Sequence, residues 1–191
     1  MDKFFGNLHL VLVVGLLAAV ALMFGVDSTT VTINFVLRWL HVFFGITWIG
    51  LLYYFNFVQI PTMPAVPAEL KPGVTKYIAP KALFFFRWGA AFTVLTGLAV
   101  AATTGGSPGY LAPALMLQAP YLLVGIGMWL ALIMAFNVWV FIWPAQKIAL
   151  GLVEADADAK AKNARKAMIF SRTNTLLSIP MLYAMTNANL G

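Results

Sequence analysis

The sequence predicts an all-α fold: a polytopic bundle of about five membrane-spanning helices forming one domain over residues 1–191. Three observations predict it. Hydrophobic residues make up 62% of the chain and charged residues only 9%, against about 25% charged in a soluble domain. Apolar segments long enough to cross a bilayer, about 20 residues each, recur along the whole chain. Lys and Arg fall in alternate loops. The mean hydropathy of +0.88 excludes disorder and an ordinary soluble enzyme.

The first span, about 4–24, follows Lys3. Ala19-Val20-Ala21 imitates a signal-peptide cleavage site, but the segment is read as a retained membrane helix. The second span covers about 31–59. Residues 61–80 hold five prolines (Pro61, Pro64, Pro67, Pro72 and Pro80), which predicts an extended, semi-rigid loop. The third span covers about 81–103. After it, Gly105-Gly106-Ser107-Pro108-Gly109 is a turn cluster, and residues 110–117 are apolar but too short to span. The fourth span, about 121–143, is expected to break near Pro144. Residues 147–166 read as an alanine-rich helix with acid-before-base pairs Asp156–Lys160 and Asp158–Lys162. The fifth span, about 168–187, is the most polar and carries Pro180.

Lys3, the Lys71–Lys76–Lys81 group and the group Lys147, Lys160, Lys162, Arg165 and Lys166 occupy one side. The loops after spans one and three hold no Lys or Arg. This places the N-terminus in the cytoplasm and the C-terminus outside. The net charge of +6 is accounted for by those loops at an anionic leaflet, and no nucleic-acid partner is expected. With no cysteine, disulfides, iron–sulfur clusters and c-type haem attachment are excluded.

Ionisable groups inside a bilayer are costly, so each is a candidate site. No Asp or Glu falls within a predicted span, which argues against a carboxylate relay or paired-carboxylate catalysis. Arg38, Arg87 and Arg172 do fall within spans. They have four possible roles: reaching the interface, binding lipid phosphate, meeting an anionic ligand such as a haem propionate, or pairing with a neighbouring subunit. Asn174, beside Arg172, joins Arg87 and Arg172 as a candidate lipid-, anion- or partner-binding group.

His41 is the sharpest candidate. Positions 38, 41, 45, 48 and 52 share one helix face, carrying Arg38, His41, Gly45, Trp48 and Leu52. A glycine one turn from a histidine leaves room for a flat ligand, and imidazole is a common haem ligand; the other reading is a histidine hydrogen-bonded to a neighbouring helix. Haem b, with Arg38 and Trp48 also at the cofactor, is therefore the one candidate prosthetic group. His9 cannot supply the second ligand, because it lies at the opposite face, roughly 15 Å away in depth. Met181 and Met185, i,i+4 in span five, suit a soft metal, though packing is the commoner role. Gly15/Ala19 and Gly97/Ala101 read as close helix contacts.

Three stretches resemble one family. They are Arg38-Trp39-Leu40-His41 through Trp48 to Gln59; Ala135-Phe136-Asn137-Val138-Trp139 with Trp143-Pro144-Ala145-Gln146-Lys147; and Ser171-Arg172-Thr173-Asn174-Thr175 through Leu182. Phe86-Arg87-Trp88-Gly89-Ala90 fits the same pattern. Together they resemble the membrane domain of the PuuD-type urate hydroxylase family. The resemblance implies a bacterial inner-membrane location, urate oxidation and electron transfer to cytochrome c. The C-terminal cytochrome c domain of the longer members is expected to be absent. More distantly, the His41 segment resembles the haem-b helices of CopD-type proteins and of the membrane protoporphyrinogen oxidase family.

Three functions follow as expectations. The first is an accessory or structural subunit of an oxidative or respiratory membrane complex, contacting other membrane subunits or its own copies. The second is a haem-b electron carrier. The third is a urate-oxidising enzyme passing electrons to a separate cytochrome c.

Overall fold

The computed structural model describes residues 2–25, 32–106 and 108–188. Every regular element among them is helical. A helical turn, Asp2–Phe5, precedes α1 (Leu8–Gly25). Next come α2 (Ile33–Thr62), α3 (Lys71–Thr103), a short α4 (Leu111–Leu115), α5 (Leu122–Ala149) and α6 (Ala157–Asn187). Residues 1–36 and 37–191 form two compact units. The first holds α1, an uninterrupted apolar helix, and the first turn of α2; the second holds the remainder of α2 and the later helices.

Helices α1, α2, α3 and α5 are long and apolar enough to cross a membrane. Helix α6 has the length at 31 residues but not the hydropathy. Its first turns carry Asp158, Lys160, Lys162, Arg165 and Lys166, and polar groups continue into its second half.

The surface of the second unit is apolar and its interior is partly polar. Ile46 is 71% exposed and Leu176 68%, whereas Asn174 and Ser178 are fully buried. Water would penalise that surface and lipid does not. The arrangement is compatible with a multi-pass membrane protein. The interior centres on Trp48, Leu52, Phe86, Met134 and Val138, contributed by α2, α3 and α5. Asn174 on α6 donates to the Met134 carbonyl at 2.9 Å and accepts from Asn137 Nδ2 at 2.9 Å, tying α6 to α5.

Three expectations are corrected. Residues 61–80 are not extended throughout: α2 runs on to Thr62, turns follow, and α3 is helical from Lys71. Nor does α5 break near Pro144. Instead, each of α2, α3 and α5 contains one widened, π-helical turn: Tyr54–Gln59, Val74–Ile78 and Asn137–Ile142. Each is followed two residues later by a proline, Pro61, Pro80 or Pro144. A proline ring clashes with the carbonyl four residues back and supplies no N–H. Widening the preceding turn relieves both faults without ending the helix. Finally, residues 147–166 are not one helix. α5 ends at Ala149, Gly151 takes the left-handed φ of 73°, and α6 starts afresh with Asp156 accepting from the Ala159 N–H.

Candidate functional site

The 3.6-residue repeat of α2 sets Arg38, His41, Gly45 and Trp48 on one face, and all four line a single cavity of about 750 Å³. Thr93 and Gly97 of α3, Tyr110, Met128 of α5, and Met181 and Met185 of α6 close it. Apart from Thr186 its walls are otherwise aliphatic or glycine, which gives the usual composition of a small-molecule site: an apolar lining with few polar groups.

His41 is held from one side. Its Nδ1 lies 2.8 Å from the Thr93 carbonyl oxygen. A carbonyl only accepts, so Nδ1 carries a hydrogen, and in the neutral ring Nε2 then keeps its lone pair. Gly97 makes this contact possible. It sits one helical turn beyond Thr93, where a side chain would shield that carbonyl, and a Cβ there would stand 2.7 Å from His41 Cε1. The sequence reading treated Gly97 as a helix-packing residue; its neighbour is the imidazole itself. The Thr96 hydroxyl is a more distant contact at 3.4 Å from Nδ1.

Tyr110 reaches the cavity through a turn that only glycine permits. Gly109 has φ +62°, and a Cβ there would collide with the Ala101 carbonyl, which accepts from the Tyr110 N–H at 2.9 Å. Burial pushes the Tyr110 phenol above its ordinary value, while the nearby Arg38 charge and a Thr104 hydrogen bond pull it back down. The turn signal in residues 105–109 was legible, but nothing in the sequence linked the turn to His41.

The remaining candidates lie elsewhere. Arg87 sits with its guanidinium carbon 3.8 Å from the centre of the Trp143 ring and 5.5 Å from that of Phe84. Arg172 is exposed. Asn174 is turned into the bundle, on Asn137 and Met134. None of the three lines the His41 cavity.

The donor set suits a haem. One imidazole nitrogen has its tautomer fixed by a backbone carbonyl, the usual outer-shell arrangement of a metal-ligating histidine. Met128, Met181 and Met185 line the same cavity, and histidine with methionine is an established haem ligand pair. Arg38 supplies a positive charge for an anionic substituent.

The family model described as urate oxidase, N-terminal, matches residues 109–190. That stretch runs from Gly109 through α4, α5 and α6, and so includes Tyr110 and the three cavity methionines. No curated protein and no solved structure matches the chain.

Proposed function

We propose that this chain is the membrane-embedded electron-transfer subunit of an oxidative complex in a bacterial inner membrane, with the His41 cavity as the site of a b-type haem. The observation that carries the reading is the His41 geometry. Nδ1 is committed to the Thr93 carbonyl in a cavity that three methionines also line.

In this reading α6 is a fifth span whose Ser171, Asn174 and Ser178 face the bundle. The lysine-bearing loops are cytoplasmic, the C-terminus is outside, and other membrane subunits or further copies of the chain cover the apolar surface. When bound, the haem supplies one-electron transfer. The chain's own residues do the rest. Thr93 fixes the tautomer and orientation of the imidazole and raises its basicity as a ligand. Met128, Met181 or Met185, which line the same cavity, would be the side chains available to hold the haem iron with His41. Arg38 neutralises an anionic substituent, Tyr110 closes the same end, and the aliphatic lining excludes water.

A second reading rests on the family match over residues 109–190: the chain oxidises urate and hands electrons to a separate cytochrome c. The first experiment is a reduced-minus-oxidised visible spectrum of the purified protein in mild detergent. A b-type band near one haem per chain, lost in a folded His41→Ala variant, is expected. A flat spectrum at full protein loading refutes the haem reading and leaves a purely structural subunit. Urate consumption by membranes carrying the chain and a suitable cytochrome c decides the second reading.

A further inference from the structure

A cleft of about 630 Å³ runs along the first half of α6. Its lining residues all belong to that helix, and Lys162, Asn163, Arg165, Lys166, Ile169 and Phe170 share one face at helical spacing. Lys162, Arg165 and Lys166 are exposed. No carboxylate lines the cleft. Asp156 is engaged at the start of α6, where it accepts from the Ala159 N–H. Asp158, one turn before Lys162, stays outside the lining.

The cleft changes chemistry along the helix axis. Lys162 and Ile169 are about 10 Å apart at 1.5 Å per residue, and over that distance the face passes from basic to apolar. Lys166 Nζ sits 5.4 Å from the centre of the Phe141 ring, within cation–π range. Phe141 in turn stacks on Phe170, with ring centroids 4.2 Å apart. The ammonium group is therefore held over an aromatic surface at the apolar end of the cleft. Arg172 is the last charged side chain of the sequence. Beyond it, Leu176 and Ile179 are exposed, as a lipid-facing helix requires.

We infer that this cleft binds one anionic phospholipid. Arg165 and Lys166 hold the phosphate, Lys162 lies one turn further out, and an acyl chain runs past Ile169 along the apolar face of α6. Arginine presents paired N–H donors to phosphate oxygens, and lysine adds a point charge. Three cations without a carboxylate select an anionic headgroup over a zwitterionic one. The apolar end selects a lipid over a free phosphate or an acidic protein segment. The inference rests on the reading of α6 as a fifth span with its basic end at the cytoplasmic face, and on nothing in the His41 cavity.

The test is native mass spectrometry of the full chain in mild detergent, titrated with dioleoyl-phosphatidylglycerol or dioleoyl-phosphatidylcholine. The first phosphatidylglycerol is expected to bind at least about tenfold more tightly than the first phosphatidylcholine. Each basic side chain near an anionic surface is worth about fivefold in affinity, so Arg165→Gln with Lys166→Gln should weaken phosphatidylglycerol binding about 25-fold. Lys71→Gln with Lys76→Gln removes the same charge from the start of α3 and should change binding by less than about twofold at physiological salt. Ile169→Asn should weaken it at least about threefold through lost apolar contact. Excess glycerol 3-phosphate should not displace the lipid. Equal weakening by the two charge pairs overturns the proposal, because diffuse attraction to anionic lipid then explains the preference. So does the lack of any preference for phosphatidylglycerol, or an Ile169→Asn variant that binds as the wild type does. Displacement by glycerol 3-phosphate also overturns it and marks a free-phosphate site. Should the Arg165 and Lys166 pair not fold by thermal melt, Lys162→Gln with Arg165→Gln is read by the same criteria. Failure of the span reading shows separately, as a chain that stays monodisperse without detergent. None of these substitutions touches the His41 cavity, so the haem spectrum fails or succeeds independently.

Discussion

Replacing Gly97 with alanine separates a helix-packing role from a histidine-positioning role by the sign of its effect. In a helix interior alanine is favoured over glycine by about 1 kcal/mol, so a glycine that merely sits in open space is improved by the change. At Gly97 the new methyl stands 2.7 Å from His41 Cε1 and 3.0 Å from Nδ1, well inside contact distance. Relieving that clash costs about 1–3 kcal/mol in a packed interior. Displacing the ring also gives up its bond to the Thr93 carbonyl, worth on average about 0.6 kcal/mol among membrane-protein hydrogen bonds. The net expectation is a loss of about 0.6–2.6 kcal/mol after the propensity gain is subtracted. Gly50→Ala is the control, because nothing lies within 4 Å of a Cβ there; it should be neutral or stabilising. Unfolding in mild detergent measures both. In a His41→Ala background Gly97→Ala should lose its penalty, giving a coupling energy of the same size. Equal stability of Gly97→Ala and Gly50→Ala, or an unchanged penalty without the imidazole, refutes the positioning role.

Asn174→Ala removes a fully buried amide and strands Asn137; a loss of about 1–2 kcal/mol is expected by thermal unfolding, within the range of buried membrane hydrogen bonds. Arg87→Gln, which discards the stacking on Trp143, should cost under about 1 kcal/mol and leave the cavity spectrum unchanged. Tyr110 should ionise above the ordinary tyrosine value of 10.0. Its protonated form is the one the fold favours, so the associated stability is intact below pH 10.0 and lost as pH rises through the folded value. An ultraviolet titration of tyrosinate in wild type against Tyr110→Phe checks the position, and adding Arg38→Gln should move it further up.

Which parts of the sequence were legible follows from which physics is local. The helical faces of α2 were legible because a straight helix obeys a 3.6-residue period, and Arg38, His41 and Trp48 do share one cavity. Past Tyr53 that extrapolation fails, because the widened turn before Pro61 shifts the register. Asn56 and Gln59 lie within that shift. The partners of His41 were illegible for a different reason. Thr93 contributes a backbone carbonyl, which no side-chain identity announces, and Gly97 contributes the lack of a side chain. Tyr110 depends on one backbone bond from Gly109–Tyr110 back to Ala101, a tertiary fact. The helical loop segment from Lys71 was misread because prolines were counted as breakers; Pro72 sits in a first turn, where it is tolerated, and Pro80 follows a widened one.

The buried polar groups of the bundle divide by satisfaction, and the division bears on their roles. In lipid, apolar side chains give helices little reason to prefer one neighbour or register over another. Paired polar groups can supply that reason. Asn137, Asn174 and Ser178 are buried and bonded, and they fasten α6 to α5 and α2. A register device is complete when its bonds close, so it leaves nothing over. Trp48 Nε1, Asn56 Oδ1 and Gln59 Oε1 are left over, and all lie on the helix that carries His41. If the Gln59 oxygen served packing alone, Gln59→Leu should be neutral or stabilising, since an orphan is worse than an apolar group of the same shape; Asn56→Leu destabilises in any case, because its amide also donates to the Leu52 carbonyl and to Ser171 Oγ. If water fills the space beside Gln59, Gln59→Leu should instead destabilise, because it leaves the water's remaining bonds unmade. The sign of that substitution, measured by unfolding in detergent, separates a packed polar group from a hydrated one without any reference to cofactor.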